Sequence, residues 1–195
     1  MTLEHGRYDV PAGHLAAVVT HLICRAAVPL PPRPDGIELD DAARLSAGDY
    51  RALFRRIGRD WLWTSRLLLG DGELSEILRS PATALHLVRA HGAVCGMAEL
   101  DRRDPRSPRI AFFGLASGAK GRGIGRWLMA EVQHRLFAEG ARSIRLDTCT
   151  LDDPGALRFY LRAGFEAERR EVDVFPDPRA LDLLDAGAAP DVPRL

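Results

Sequence analysis

The chain is expected to adopt a mixed α/β fold in which a mostly antiparallel central sheet is flanked by helices. Three observations predict it. The apolar run Ile110 to Leu115 is short enough for a buried strand; glycines at 118, 121, 123 and 125 follow, and then Trp127, Leu128, Met129 and Val132 at helical spacing. That order is strand, glycine-rich loop, helix. Before it, Thr83 to Arg89, a His91-Gly92 turn, and Ala93 to Asp101 make a hairpin that leads into the same strand, so three antiparallel neighbours are expected in succession. After it, a strand over Ser143 to Thr148, a helix and a strand from Phe165 to about Phe175 repeat the alternation of elements. Successive antiparallel strands are not the pattern of a doubly wound sheet.

Taken in order, His14 to Arg25 is rich in β-branched residues and reads as the first strand, with Leu15, Ala17, Val19, His21 and Ile23 on one face. His21 faces either a substrate groove or neighbours that satisfy it within the sheet. Pro29 to Pro34 breaks regular structure, and a short strand is expected over Ile37 to Leu45. Ser46 can cap a helix from Ala47 to about Trp61, in which Tyr50, Leu53, Phe54, Ile57 and Trp61 recur at helical spacing. Trp61 and Trp63 straddle its end, as core residues or as an aromatic wall. Asp71 to Ser80 is a second helix, stopped by Pro81. The charged link Arg102 to Pro108 leads into the strand before the glycine loop. The helix after that loop spans Gly123 to Glu139 and is ended by Gly140. Asp153 suits an N-cap and Pro154 the first helical position, with Ala156, Phe159, Tyr160 and Ala163 on one stripe and Gly164 as the stop. Pro176 to Leu195 has no strong period and is expected to wrap the surface of the single domain formed by residues 1–195.

The 195 residues can bury a core without metal or disulfide support. Zero net charge offers no electrostatic argument for nucleic acid or an anionic membrane. Lys120 is the only lysine and asparagine is absent, so arginine clusters reflect composition before they reflect anion binding. Cys24, Cys95 and Cys149 are far apart and lack metal-site spacing; they read as reduced thiols of a cytoplasmic protein. The apolar run Leu15 to Cys24 is too short to span a bilayer.

A glycine-rich loop opening a helix turns backbone N–H groups toward one point at the positive end of the helix dipole, a site for phosphate. The spacing excludes a P-loop, since Lys120 precedes the glycine pair and no Ser or Thr follows Gly125. It also lacks the order of a dinucleotide fingerprint. What fits is Lys120-x-x-Gly123-x-Gly125, which resembles the acetyl-coenzyme A loop of the GNAT superfamily of N-acetyltransferases. A second passage is similar to the same family: Asp153, Ala156, Tyr160, Gly164 and Phe165 occupy the places of its Asn-x-x-Ala-x-x-x-Tyr-x-x-x-Gly-Phe pattern. The resemblance covers Thr83 to Phe175.

The resemblance implies a GNAT-like fold in which two strands splay apart and acetyl-CoA, or a related acyl-CoA, serves as cosubstrate without a metal. Backbone groups of Phe113 and Leu115 would hold the pantetheine arm. N–H groups over Gly121, Arg122, Gly123, Ile124, Gly125 and Arg126 would hold the pyrophosphate, with Lys120 adding positive charge. Tyr160 would protonate the departing thiolate, which suits a phenol that is neutral at pH 7. Some members place a base where this chain has Arg109. Glu99, an acid between Ala98 and Leu100, is the substitute candidate; a solvent-facing strand glutamate is the other reading, and Asp147 and His21 are lesser candidates. Asp153 would touch the pantetheine arm, but it stands where Asn is usual and cannot donate an amide hydrogen bond to it. Cys149 has no His or Asn context for covalent catalysis. The expected activity is direct transfer of an acyl group to an amine on a small molecule or peptide; the alternative is an acyl-CoA-binding module without turnover. Antibiotics, amino acids, polyamines and protein N-termini all remain open as acceptors, as does a homodimer.

Overall fold

In chain order the elements are β1 (His14–Cys24), β2 (Ile37–Asp40), α1 (Ala47–Gly58), α2 (Asp71–Arg79), β3 (Thr83–Ala90), β4 (Ala93–Asp101), β5 (Arg109–Leu115), α3 (Ile124–Ala138), β6 (Ile144–Cys149), α4 (Ala156–Arg162) and β7 (Phe165–Pro176). This is a computed structural model that describes residues 4–41 and 45–194. The seven strands form one sheet in the order β2-β3-β4-β5-β6-β1-β7. Every pairing is antiparallel except β5 with β6. The mixed, mostly antiparallel sheet flanked by helices is thus the architecture expected from the sequence.

Two apolar cores sandwich the sheet. On one face α3 and α4 lay Trp127, Leu128, Val132 and Tyr160 against Leu22, Ile144 and Leu146. On the other, Tyr50, Phe54 and Leu74 of α1 and α2 cover Leu87 and Met97. Each fully buried side chain of this kind contributes on the order of 1.5–3 kcal/mol. Both cores therefore hold the strands on which the cleft is built.

The position of β1 has no local signal. It lies between β6 and β7, pairing Leu22 with Leu146 and Val18 with Val172. The chain then crosses the outside of α3 to reach β2 at the opposite edge. Gln133 fixes this strap: its Oε1 accepts from Val28 N–H at 3.1 Å and its amide donates to Ala163 O at 2.7 Å. Arg33 sits 5.2 Å above the Trp127 ring.

Local expectations needed three adjustments. The second strand ends at Asp40 rather than Leu45, and residues 42–44 of that expectation lie outside the described residues. The first helix, capped by Ser46 Oγ on Asp49 N–H as expected, ends at Gly58; Arg59–Trp61 form a separate 3₁₀ turn because Leu62 turns left-handed at φ 54°. Asp153 does not cap α4. Its Oδ1 accepts from Gly155 N–H at 2.8 Å and its carbonyl from Ala156 N–H at 2.7 Å, so a tight turn consumes Pro154 and the helix starts at Ala156.

The segment after β7 folds back over α1. Leu184, Ala188 and Ala189 join the α1 core, and Arg59 pairs with Asp185. Arg179 is 4% exposed; it donates to Asp177 Oδ2 at 2.7 Å, Val192 O at 2.9 Å and Ala188 O at 3.2 Å. The hydrogen bonds from Arg179 hold the Asp177 carboxyl below the usual carboxylate range. A depressed native pKa means the tail's stabilisation is complete above the unfolded value, about 4, and is lost as pH falls through the lower native value. The Ala188 and Val192 amides should therefore lose hydrogen-exchange protection in acid, below about pH 4, before the amides of the central strands.

Candidate active site

The cleft arises where the sheet opens. β5 and β6 pair through Arg109 and Arg145 alone, with Arg145 N–H donating to Pro108 O at 2.9 Å. Beyond that point β5 stays with β4, pairing Phe113 with Ala98 and Leu115 with Gly96. Its other edge, from Ala111 to Leu115, has no strand partner among the described residues, so N–H and C=O groups there face a cleft of about 940 Å³. Glycine permits this packing: a Cβ on Gly96 would lie 2.3 Å from the Leu115 side chain.

At the top of β5 the loop enters α3. Gly121 and Gly123 have φ of 75° and 78°, the left-handed region that other residues enter at a cost, and a Cβ at either would meet nothing within 4 Å. The space in front of the loop is open. The N–H groups of Gly121, Arg122 and Gly123 have no main-chain acceptor among the described residues, and those of the first turn of α3 have none within a helix. Gly121, Gly123, Gly125 and Arg126 line the cleft, whereas the Ile124 side chain is buried in the α3 core and Arg122 is not among the lining residues. The arrangement fits a diphosphate followed by an extended arm along β5.

Lys120 and Asp153, expected to touch different parts of the cosubstrate, instead meet each other. Lys120 Nζ lies 2.7 Å from Asp153 Oδ2 and 4.3 Å from the centroid of the Trp61 ring, and all three line the cleft. The hydrogen bond from Lys120 lowers the Asp153 carboxyl below its ordinary range.

Tyr160 projects from α4 between Phe159, Phe113 and Phe165, with ring centroids 5.4, 6.4 and 6.1 Å away. It lines the cleft beside Phe113, the residue expected to hold the arm. Burial pushes its phenol pKa upward, assisted by the nearby Asp152 and Asp153 charges, so it stays protonated through the physiological range. It makes no side-chain hydrogen bond among the described residues, which leaves its hydroxyl free for a ligand.

Across the cleft, Trp63 packs on Phe54 and Phe112 at 5.3 and 5.2 Å, and both tryptophans also line the cleft. Trp63 is therefore core on one side and wall on the other. Asp147 lines the cleft and is held by Arg109 and by His21 Nδ1 at 2.8 Å, while His21 Nε2 lies 3.0 Å from Glu171. This cluster joins β5, β6, β1 and β7, and residues so far apart in the chain leave no spacing signal.

Glu99 is placed elsewhere. It is 1% exposed and is not among the cleft-lining residues, although Phe112, its cross-strand neighbour, is. Arg66 Nη2 reaches Glu99 Oε1 at 2.6 Å, the Tyr50 hydroxyl donates to Oε2, and the Arg66 guanidinium lies 5.1 Å from the Phe112 ring. It is neither the reachable carboxyl nor the solvent-facing one that its sequence context suggested. Burial raises the Cys149 thiol pKa, and Asp152 raises it further, which opposes thiolate chemistry. No group of three or more His, Cys, Asp or Glu among the described residues could hold a metal, and no described helix is long and apolar enough to cross a membrane.

A splayed mixed sheet with a glycine cradle at the splay defines a class of protein, and residues 50–165 match the model of the acetyltransferase (GNAT) family. This chain belongs to that family. Comparison with curated proteins finds no match. Among solved structures, a GCN5-related N-acetyltransferase from Sphaerobacter thermophilus superposes with a TM-score of 0.63 at 21% identity, covering 84% of this chain and 53% of that one. One from Kribbella flavida gives 0.58 at 20% identity over 87% of this chain and 63% of that one. An aminoglycoside acetyltransferase from an uncultured soil metagenomic sample gives 0.55 at 13% identity over 66% of this chain and 88% of that one. The chain thus spans about half the length of the Sphaerobacter structure. At these identities the likeness concerns the fold.

Proposed function

We propose that this chain transfers an acetyl group, or a related acyl group, from acyl-CoA to an amine by direct attack. The observation that carries the reading is the unpaired edge of β5 running into the open Gly121–Gly125 cradle, a slot shaped for an extended arm that ends in phosphates. Bound there, the thioester supplies an activated acyl carbon. Main-chain groups of Phe113 and Leu115 orient the arm, and the N–H groups over Gly121 to Arg126, with Lys120, neutralise the diphosphate. Tyr160 Oη–H gives a proton to the sulfur as the C–S bond breaks and the N–C bond forms. An ammonium acceptor sheds two protons overall, one balanced by the thiol product through Tyr160 and one lost to solvent. What supports Asp147 rather than Glu99 as the path for the second proton is access, because Asp147 lines the cleft. Three unpaired thiols suit the reducing cytoplasm.

A second reading, an acyl-CoA-binding module without turnover, is favoured by one observation: Arg109, standing where a base is found in some relatives, pairs with Asp147 and withdraws its charge. Release of CoA in the presence of an amine excludes it.

Calorimetric titration with acetyl-CoA tests the site. Binding is expected for the native chain and lost in Gly123→Trp, whose indole would occupy the open space before the loop while its positive φ costs about 1–2 kcal/mol of stability. Unchanged affinity in a folded Gly123→Trp, or no binding by the native chain, overturns the assignment.

A further inference from the structure

Lys120 is the only lysine of the chain, and it lines the cleft at the start of the loop assigned to phosphate. Its ammonium is already occupied. Asp153 Oδ2 lies 2.7 Å from Nζ, and the ring of Trp61 has its centroid 4.3 Å from the same nitrogen. Asp153 is itself fixed, because its Oδ1 accepts from Gly155 N–H at 2.8 Å in the turn before α4. Trp61 ends the 3₁₀ turn that follows α1. Three separate segments thus converge on one charge.

That convergence conflicts with the role of the loop. The N–H groups of Gly121 and Gly123 follow Lys120 directly and have no main-chain acceptors among the described residues, so an anion seated on them is within reach of the lysine side chain. A carboxylate of the chain and a diphosphate then compete for a single ammonium. Lys120 and Asp153 are 39% and 42% exposed, and a pair so open to water is worth only a few-fold in an equilibrium constant. A cation over an exposed aromatic face adds a contribution of similar size. A diphosphate carries more negative charge than a carboxylate and meets the loop N–H groups at the same time, so it wins the ammonium. The internal contact is strong enough to weaken binding measurably and too weak to prevent it.

We propose that Asp153 and Trp61 form an internal latch on Lys120: a diphosphate-bearing cosubstrate takes the ammonium from them, and its arrival frees both side chains in the cleft. The latch rests on the acyl-CoA reading for the identity of the anion, and its closed state is tested without a ligand.

Reductive methylation with isotope-labelled formaldehyde keeps the positive charge and gives Lys120 the one side-chain methyl signal of the chain. In the ligand-free chain the Trp61 ring should shift that signal upfield, and Trp61→Leu should return it to the position of free dimethyl-lysine. Saturating acetyl-CoA should move the native signal the same way. A signal that is unshifted at the start, or that bound acetyl-CoA leaves in place, overturns the latch. Calorimetry at fixed ionic strength then compares acetyl-CoA affinity in the native chain, Lys120→Met, Asp153→Ser and the double variant; the serine hydroxyl can still accept from Gly155 N–H. Removing the Asp153 charge relieves repulsion in either background, and only where Lys120 is present does it also free the ammonium. Asp153→Ser should therefore tighten binding about threefold more with Lys120 than without it. An equal or smaller gain with Lys120 overturns the proposal, and so does weaker binding in Asp153→Ser, which would make Asp153 a holder of the arm. Where the native chain binds acetyl-CoA, these results overturn the latch alone; binding by neither the native chain nor Asp153→Ser overturns the acyl-CoA reading as well.

Discussion

Tyr160→Phe is expected to lower kcat for amine acetylation by about a hundredfold, within the usual range for a positioned proton donor, while acetyl-CoA affinity measured by calorimetry stays the same. The substitution removes one hydroxyl and keeps the ring that packs on Phe113, Phe159 and Phe165, so the aromatic cluster has no reason to move. The phenol suits the task because burial disfavours its phenolate. It holds its proton until negative charge develops on a neighbouring sulfur, and gives the proton where bulk water has least access. Stopped-flow CoA release and thermal melting, measured on the same variant, separate chemistry from folding. Undiminished turnover in a folded Tyr160→Phe would remove Tyr160 from the mechanism.

The second large effect concerns Glu99 and is one of stability. Glu99→Ala should destabilise the chain by about 3 kcal/mol, because it leaves the Arg66 guanidinium partly buried without its charge partner and the Tyr50 hydroxyl without its acceptor. Burial, followed by the Glu99 charge, pushes the Tyr50 phenol pKa upward, so Tyr50 remains a donor. Through Arg66 the pair anchors the segment that carries Trp61 to Leu68 to β4. Glu99→Gln, which retains an acceptor of the same shape, should lower Tm less than Glu99→Ala and leave the acid limb of the kcat profile in place. Loss of that limb in Glu99→Gln with an unchanged Tm would instead make Glu99 the base.

The sequence by itself determined the family and the architecture around the cosubstrate, because those features are local. Strand, glycine loop and helix between Ile110 and Ala138 are written in consecutive residues: only glycine enters φ near 75° cheaply at 121 and 123, and the apolar stripe of α3 recurs every turn. The same holds for Tyr160, whose place between Ala156 and Gly164 follows from helix periodicity.

The tertiary structure alone decided the rest. Glu99 sits in a strand buried without interruption from Gly96 to Leu100, and nothing within a few residues of it announces Arg66 or Tyr50; its contacts depend on helix α1 and the following segment folding over that face. Lys120 and Asp153 meet only because two separate strand-to-helix loops are brought to the same end of the sheet. The Arg109, Asp147 and His21 cluster exists only because β1, the first strand in the chain, pairs with β6 near the other end of the sequence. Backbone geometry and amphipathic period are short-range and legible in one dimension. Ion pairing across strands is a property of register, which a chain acquires when its two cores close around the sheet.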